Sequence, residues 1–180
     1  MRSITERELK IIEYQLGRKP TNLLAIALYC PYNRPAVLLT NPYENDKVFP
    51  TLYWLSCPKM VKKVSKLEDE GLVQQLTIKQ KREQEFSKKM EEAHIEYAQK
   101  RMFYLQTLKI DLKNLPINIR DVLENSGVGG IRKKEGIKCL HAHLADYMVN
   151  QNNPAGRIVF EMVEWPLYCD YCPENKNAGG

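Results

Sequence analysis

The stretch that decides the fold is "TLYWLSCPKM", residues 51–60, because the chain changes there from strand-like to helix-like patterning. "TLYWL" is rich in the aromatic and β-branched residues favoured in strands. Pro58 fixes its own φ and lacks a backbone donor, so it makes a tight exit from a strand. Beyond it, apolar residues recur at helical spacing opposite a lysine-rich side, at Met60, Val61, Val64 and Leu67.

Two more strands are predicted before this point, "LLAIALYC" at 23–30 and "AVLLT" at 36–40. The connectors "PYNRP" and "NPYENDKVFP" are rich in Pro and Asn, which set turn dihedrals and interrupt ladders. Three short strands joined by such turns indicate an antiparallel meander.

Helical patterning accounts for most of the remaining chain. Thr5 and Glu8 form a capping box that opens a helix over 4–16. Residues 72–108 are highly charged and contain no Pro or Gly, which predicts a long, partly protruding helix, bent once at most. Further helices are predicted at 117–124, 136–149 and 157–163.

The fold class is therefore α+β: a small three-stranded antiparallel sheet packed against a mostly helical body with one long charged helix. A length of 180 residues suits a single domain. We expect the sheet part at about 17–58, the helical part at about 59–165 and a partly disordered polar tail at 166–180.

Composition excludes several classes of protein. The 43% hydrophobic and 27% charged fractions are those of a globular, not a disordered, chain. The charged N-terminus is unlike a signal peptide, and "LLAIALYC" is too short to span a bilayer, so a cytoplasmic location without membrane contact is expected. An odd count of five cysteines without a secretion signal argues against a disulfide framework.

The cysteines fall at positions suited to binding. Cys30 and Cys57 each end a strand and precede a proline. Because the first and third strands of a meander run in the same direction, both Cys-Pro corners are expected at one end of the sheet. The C-terminal pair, Cys169 and Cys172, has the Cys-x-x-Cys spacing, again with proline next.

The segment "KCLHAHLADY", 138–147, adds a cysteine and two histidines. Cys139 and His141 point apart in mid-helix but can meet at a first turn, where the entering backbone is not yet helical. Cys139 and His143 are four residues apart and share a face anywhere on a helix.

The joint pattern predicts a metal site with tetrahedral N and S ligation, as zinc prefers. An iron–sulfur cluster, which favours thiolates, is the alternative cofactor. The predicted ligands are Cys30, Cys57, Cys139 and His141, with His143, Cys169 and Cys172 as additional candidates.

Two other interpretations of these residues stay open. Cys139 could be a thiol nucleophile activated by His141 or His143, with Asp146 as an orienting group that equally suits the surface. Each cysteine alone also suits plain burial, since free Cys is among the most buried residue types. His94 lies among charges and is predicted to be at the surface.

Anion and nucleic-acid binding rest on weaker patterns. Gly129 and Gly130 lie in "GVGG", and Arg132 follows, a combination that can cradle phosphate; a mobile loop is the competing interpretation. Residues 59–109 contain twelve Lys/Arg and eight Asp/Glu. This excess of positive charge suits either a solvated helix face or an RNA-binding surface that also uses Tyr97 and Tyr104. The long helix could also pair with a second copy in a homodimer.

Several blocks carry a resemblance to a known family. They are "LGRKP", "CPYNRPAVLLTNP", "FPTLYWLSCPKMVKKVSKLEDEG", "GVGG", "IKCLHAHLA" and "NNPAG". Together they resemble the bacterial domain of unknown function 501, from about residue 16 to 156. The resemblance includes Cys30, Cys57, Cys139 and His141, and implies that Trp165 with Cys169 or Cys172 also corresponds. It implies no activity.

Overall fold

The computed structural model describes residues 2–132, 135–164, 169 and 172. Its main sheet has three antiparallel strands in the order β1-β2-β5, with β1 at Leu23–Tyr29, β2 at Pro35–Thr40 and β5 at Tyr53–Leu55. This confirms the predicted meander. The predicted 166–180 tail lies outside the described residues apart from Cys169 and Cys172.

A short second hairpin interrupts the connector before β5. Strands β3, Tyr43–Glu44, and β4, Lys47–Val48, pair around Asn45 and Asp46, whose φ angles are 50° and 59°. Positive φ at both central residues is what a tight hairpin turn requires, and Asn and Asp tolerate it. The sequence suggested only a connector here because two-residue strands carry almost no periodic signal.

The helices enclose one side of this sheet. Helix α1 begins after Thr5, and the predicted capping box with Glu8 is present. Gly17 ends α1 in the left-handed conformation, with φ of 67°. The helices are α1 Glu6–Leu16, α2 Pro58–Asp69, α3 Leu72–Arg82, α4 Gln84–Thr107, α5 Ile117–Asn125, α6 Leu140–Asn150 and α7 Pro154–Val163.

The predicted long helix is two helices, since Glu83 has an extended backbone and separates α3 from α4. The break lets Leu76 of α3 and Met90 of α4 reach the same core. The 24-residue α4 is the long charged helix of the prediction. It does not protrude, because it buries a whole stripe in its own chain: Phe86, Met90, Ala93, His94, Tyr97, Arg101 and Leu105.

Helix α6 is the centre of the packing. It lies against β5, α2 and α7, and most of its residues are buried. Its N-terminus therefore opens between the end of α2 and the sheet. In the part of the chain that the structure describes, no helix has the length and apolar character needed to cross a membrane.

Candidate metal centre

The site begins with the irregular backbone at the start of α6. Cys139 is the N-cap residue, with φ of −147° and ψ of 114°, so its side chain is free to turn toward His141. The two side chains share a hydrogen bond, as the first-turn argument predicts. The predicted pair therefore forms.

Glu68 completes the group from the last turn of α2. Its Oε1 accepts a hydrogen bond from the Leu140 backbone N–H at 2.7 Å and lies 3.3 Å from His141 Nδ1. The ligand atoms of Glu68, Cys139 and His141 all lie within 4.8 Å of one another. All three residues are half-buried.

One face of α2 holds the His141 ring. His141 Nε2 lies 3.2 Å from the Val61 carbonyl oxygen and 3.3 Å from Ser65 Oγ. Val61, Ser65 and Glu68 are spaced by four and three residues, so they line up on one side of the helix. This spacing is the signal in the sequence that could have pointed to Glu68.

These contacts assign the ring tautomer. A carbonyl oxygen can only accept, so the hydrogen of a neutral ring belongs on Nε2, which donates it to Val61. Nδ1 then presents a lone pair toward the Glu68 carboxylate. Two acceptors 3.3 Å apart repel unless a cation lies with them, either a metal ion or a proton.

The electrostatics of the pair agree with a thiolate. Burial opposes ionisation of Cys139, yet its pKa is lowered, because the His141 side chain and the Ala142 backbone N–H both bond to the sulfur. Burial also opposes protonation of His141, but Cys139 and Glu68 raise its pKa above the ordinary value. Cys139 and His141 therefore each favour the charged form of the other.

The group opens onto a groove of about 400 Å³ between α6 and the sheet. Cys139, His141 and Gly129 lie on its helical side. The guanidinium of Arg18 lies 5.0 Å from the centre of the Trp54 ring, and both line the groove. The remaining lining combines polar residues with a larger apolar surface, and it includes Thr21, Asn22, Thr40, Thr51, Val48, Phe49, Pro50, Tyr53, Leu55 and Ala142.

The family model for DUF501, described as a protein of unknown function, matches residues 26–161. The chain belongs to the DUF501 family. No curated protein and no solved structure matched it. The match includes Cys30, Cys57, Glu68, Cys139 and His141 and ends before Cys169.

In this DUF501 protein the four predicted ligands fall into two groups. Cys139 and His141 join Glu68, whereas Cys30 and Cys57 line a different cavity together with Cys169 and Cys172. The two Cys-Pro corners thus lie together at one end of the sheet, as strand direction requires. Their neighbours are the C-terminal pair because the chain end returns to that corner.

His143 belongs to a buried network rather than to the α6 N-terminus. It is fully buried, and its Nδ1 donates to Asn153 Oδ1 at 3.2 Å. The prediction of a surface position for His94 is wrong, since His94 is only 1% exposed. Asp146, which suited either the surface or an orienting role, is also 1% exposed. His94 stacks edge-on against His143, and Asp146 accepts from Asn153 at 2.9 Å.

The residues predicted to bind an anion are divided as well. Gly129 and Gly130 have φ angles of 67° and 73°, and Gly129 lines the groove beside Cys139. Arg132 turns away to form an ion pair with Asp121 of α5. Only Gly129 of this set therefore borders the candidate centre.

Proposed function

We propose that this protein binds one zinc ion through Glu68, Cys139 and His141 and uses it for hydrolysis of a small anionic substrate held in the groove. The observation that carries the proposal is that His141 Nδ1 lies 3.3 Å from Glu68 Oε1, and that the ligand atoms of Glu68, Cys139 and His141 all lie within 4.8 Å of one another. Zinc bonds of 2.0–2.1 Å at a tetrahedral angle place two such ligand atoms about 3.4 Å apart. The pair thus has the spacing that one zinc ion requires.

The number of ligands favours a catalytic over a structural role. Three protein ligands are typical of catalytic zinc, which keeps one position open, whereas structural zinc is closed by four. Thiolate, imidazole and carboxylate together suit zinc better than Mg²⁺ or Ca²⁺, which prefer oxygen. The fourth position would be reached from the groove, because Cys139 and His141 line it.

Each ligand is also held by a second contact. His141 donates to the Val61 carbonyl, Glu68 accepts from the Leu140 N–H, and Cys139 is the N-cap residue of α6 beside His141. Such outer contacts orient metal ligands and fix their protonation state. The ligand set is therefore preorganised by α2 and α6.

When bound, zinc would supply an activated water at neutral pH. This chain contributes the positive charge of Arg18, which lies against Trp54 in the lining of the groove. A guanidinium suits the recognition of an anionic group such as a carboxylate or phosphate. We therefore propose an anionic substrate.

The test measures zinc affinity by competition with a chromophoric chelator. All proteins carry the double substitution Cys57→Ser and Cys172→Ser, so that zinc bound by the separate cysteine cavity does not contribute to the measured affinity. We expect Glu68→Gln and His141→Asn each to weaken zinc binding at least tenfold relative to that background. Glu70→Gln is the matched control, because Glu70 is an exposed acid on the same end of α2. Equal zinc affinity in all four proteins would refute the proposal.

A second candidate function is a thiol-dependent enzyme. The observation favouring it is the low pKa of Cys139 beside the raised pKa of His141, since a proton on Nδ1 satisfies the same acceptors as a metal. It predicts that Cys139 reacts with iodoacetamide faster than the other cysteines, and that His141→Asn slows it. Full reactivity in saturating zinc would favour the thiol enzyme, and protection by zinc would favour the metal centre.

A further inference from the structure

A second cysteine cluster lies outside the groove and uses none of its residues. Cys30, Cys57, Cys169 and Cys172 line one cavity at the end of the sheet. Four of the five cysteines of the chain meet there from three separate segments. We propose that these four cysteines bind a single zinc ion that ties the 169–172 segment to the two Cys-Pro corners.

The size of the cavity argues for one ion. It holds about 10 Å³, close to the minimum volume that accommodates one water molecule. A mononuclear site needs only this space, whereas an iron–sulfur cluster needs room for several atoms. Thiolates in fours are typical ligands of structural zinc.

The backbone at each corner is shaped to present a sulfur. Cys57 is the N-cap of α2, with an extended backbone of φ −63° and ψ 113°. Cys30 sits in a tight turn in which its N–H donates to the Arg34 carbonyl at 2.8 Å and its carbonyl accepts from the Asn33 N–H at 2.9 Å. Both cysteines therefore lie at a turn of the chain that borders the cavity.

The C-terminal pair is also anchored at the cavity. Gln15 Nε2 donates to Cys172 Sγ at 3.2 Å, which joins α1 to this segment. The Cys-x-x-Cys spacing allows both sulfurs to face one ion.

Zinc binding requires the four sulfurs to move closer together. Among the described residues, the ligand group lying within 4.8 Å is the one at Glu68, not the four cysteines. Zinc–sulfur bonds of 2.3 Å place tetrahedral sulfurs about 3.8 Å apart. Binding would therefore draw the 169–172 segment inward against Cys30 and Cys57.

The first experiment is zinc analysis of protein purified without chelator. We expect two zinc ions per wild-type chain. We expect one zinc ion in the double variant that combines Glu68→Gln with His141→Asn, and one in the double variant that combines Cys169→Ser with Cys172→Ser. The two double variants should lose different ions, so failure of either site is seen separately. Undiminished zinc in Cys169→Ser, Cys172→Ser would overturn the four-cysteine site.

A second measurement leaves the four cysteines of the site unsubstituted. Titration of the Glu68→Gln, His141→Asn protein with an organomercurial should release its one zinc as four thiols react, leaving only Cys139 outside the site. Release after one or two thiols, absence of zinc, or a mass two hydrogens low from a Cys169–Cys172 disulfide would each refute the proposal. Cobalt in place of zinc should give an intense sulfur charge-transfer band, retained in the control Cys139→Ser.

Discussion

At the scale of single residues, the two buried histidines have complementary unpaired atoms. His94 Nδ1 accepts from the Val128 N–H at 3.1 Å, so its hydrogen is on Nε2. His143 Nδ1 donates to Asn153, so its Nε2 carries a lone pair. Within the described chain neither Nε2 has a hydrogen-bond partner, and the rings lie 5.8 Å apart. A shared water would satisfy both atoms.

The same burial predicts sensitivity to acid. It lowers the pKa of His94 to about 4 and that of His143 to about 3, so both are neutral at pH 7. Below pH 6.5 the unfolded chain binds protons that the folded chain does not. The free energy of unfolding therefore decreases as the pH is lowered, by up to about 1.4 kcal/mol per pH unit for each histidine. Urea unfolding between pH 7 and 5 measures this slope.

The matched variant for this slope is His94→Asn, whose amide oxygen can replace Nδ1 as acceptor for Val128. We expect lower stability at pH 7 but a flatter slope, because one of the two titrating groups is gone. Equal slopes in the two proteins would show that the pH dependence arises elsewhere.

Arg101 is another residue whose buried position the sequence does not reveal. It is fully buried on α4 and donates to the carbonyl oxygens of Pro50, Leu123 and Ser126 at 2.9, 2.8 and 2.7 Å. Lysine cannot reach three separated carbonyls from one nitrogen. We expect Arg101→Lys to lower the free energy of unfolding by about 3 kcal/mol. Denaturant unfolding measures the loss, and exposed Arg82→Lys should change stability by less than about 0.5 kcal/mol.

The sequence predicted which side chains of the candidate centre lie close together only where the residues are near each other in the chain. Cys139 and His141 are two residues apart, and first-turn geometry alone brings them together. Glu68 is 72 positions from Leu140, whose N–H it binds, and no local rule relates the end of α2 to the start of α6. Tertiary packing decides that contact.

At the scale of elements, the crossing of α6 and α7 depends on a glycine. A Cβ at Gly156 would overlap the His143 carbonyl oxygen and lie 2.5 Å from Tyr147 Cβ. The obstacle is backbone, which cannot rotate away, so Gly156→Ala should cost about 3 kcal/mol or more. Gly17→Ala, where φ is 67° and nothing lies within 4 Å, should cost about 1 kcal/mol.

Thermal unfolding of these two alanine variants provides the comparison. Both replace glycine by the same residue at or near a helix end, so they differ mainly in the space available. A smaller loss of Tm for Gly156→Ala than for Gly17→Ala would mean that α7 shifts to accept the methyl group.

Element boundaries were predictable wherever a cap or a proline marks them. The Thr5 and Glu8 box, Gly17 and Pro58 all mark helix ends in the structure as the sequence indicates. The break at Glu83 carries no such mark, because neither Pro nor Gly is present. It arises from the need of α3 and α4 to bury their apolar faces in one core.

At the scale of the whole molecule, part of the charge on the long helical segment is paired. Lysines of α2, α3 and α4 form ion pairs with glutamates four residues away, at Lys66–Glu70, Lys79–Glu83, Lys89–Glu85 and Lys100–Glu96. Tyr97, predicted as an exposed aromatic, is 1% exposed. RNA binding and a homodimer through the long helix stay predictions.

The prediction of a single domain can be tested through cooperativity. The core runs without interruption from Leu39 of the sheet through Met60 and Met90 to Leu144 of α6, so sheet and helices should unfold together. In Trp165→Phe protein, Trp54 fluorescence reports the sheet and far-ultraviolet circular dichroism reports the helices. We expect coincident urea transitions from the two probes. A fluorescence transition at a lower urea concentration would mean that the sheet is a separate unit. Addition of zinc should then shift only that transition to higher urea, because the Cys-Pro corners belong to the sheet.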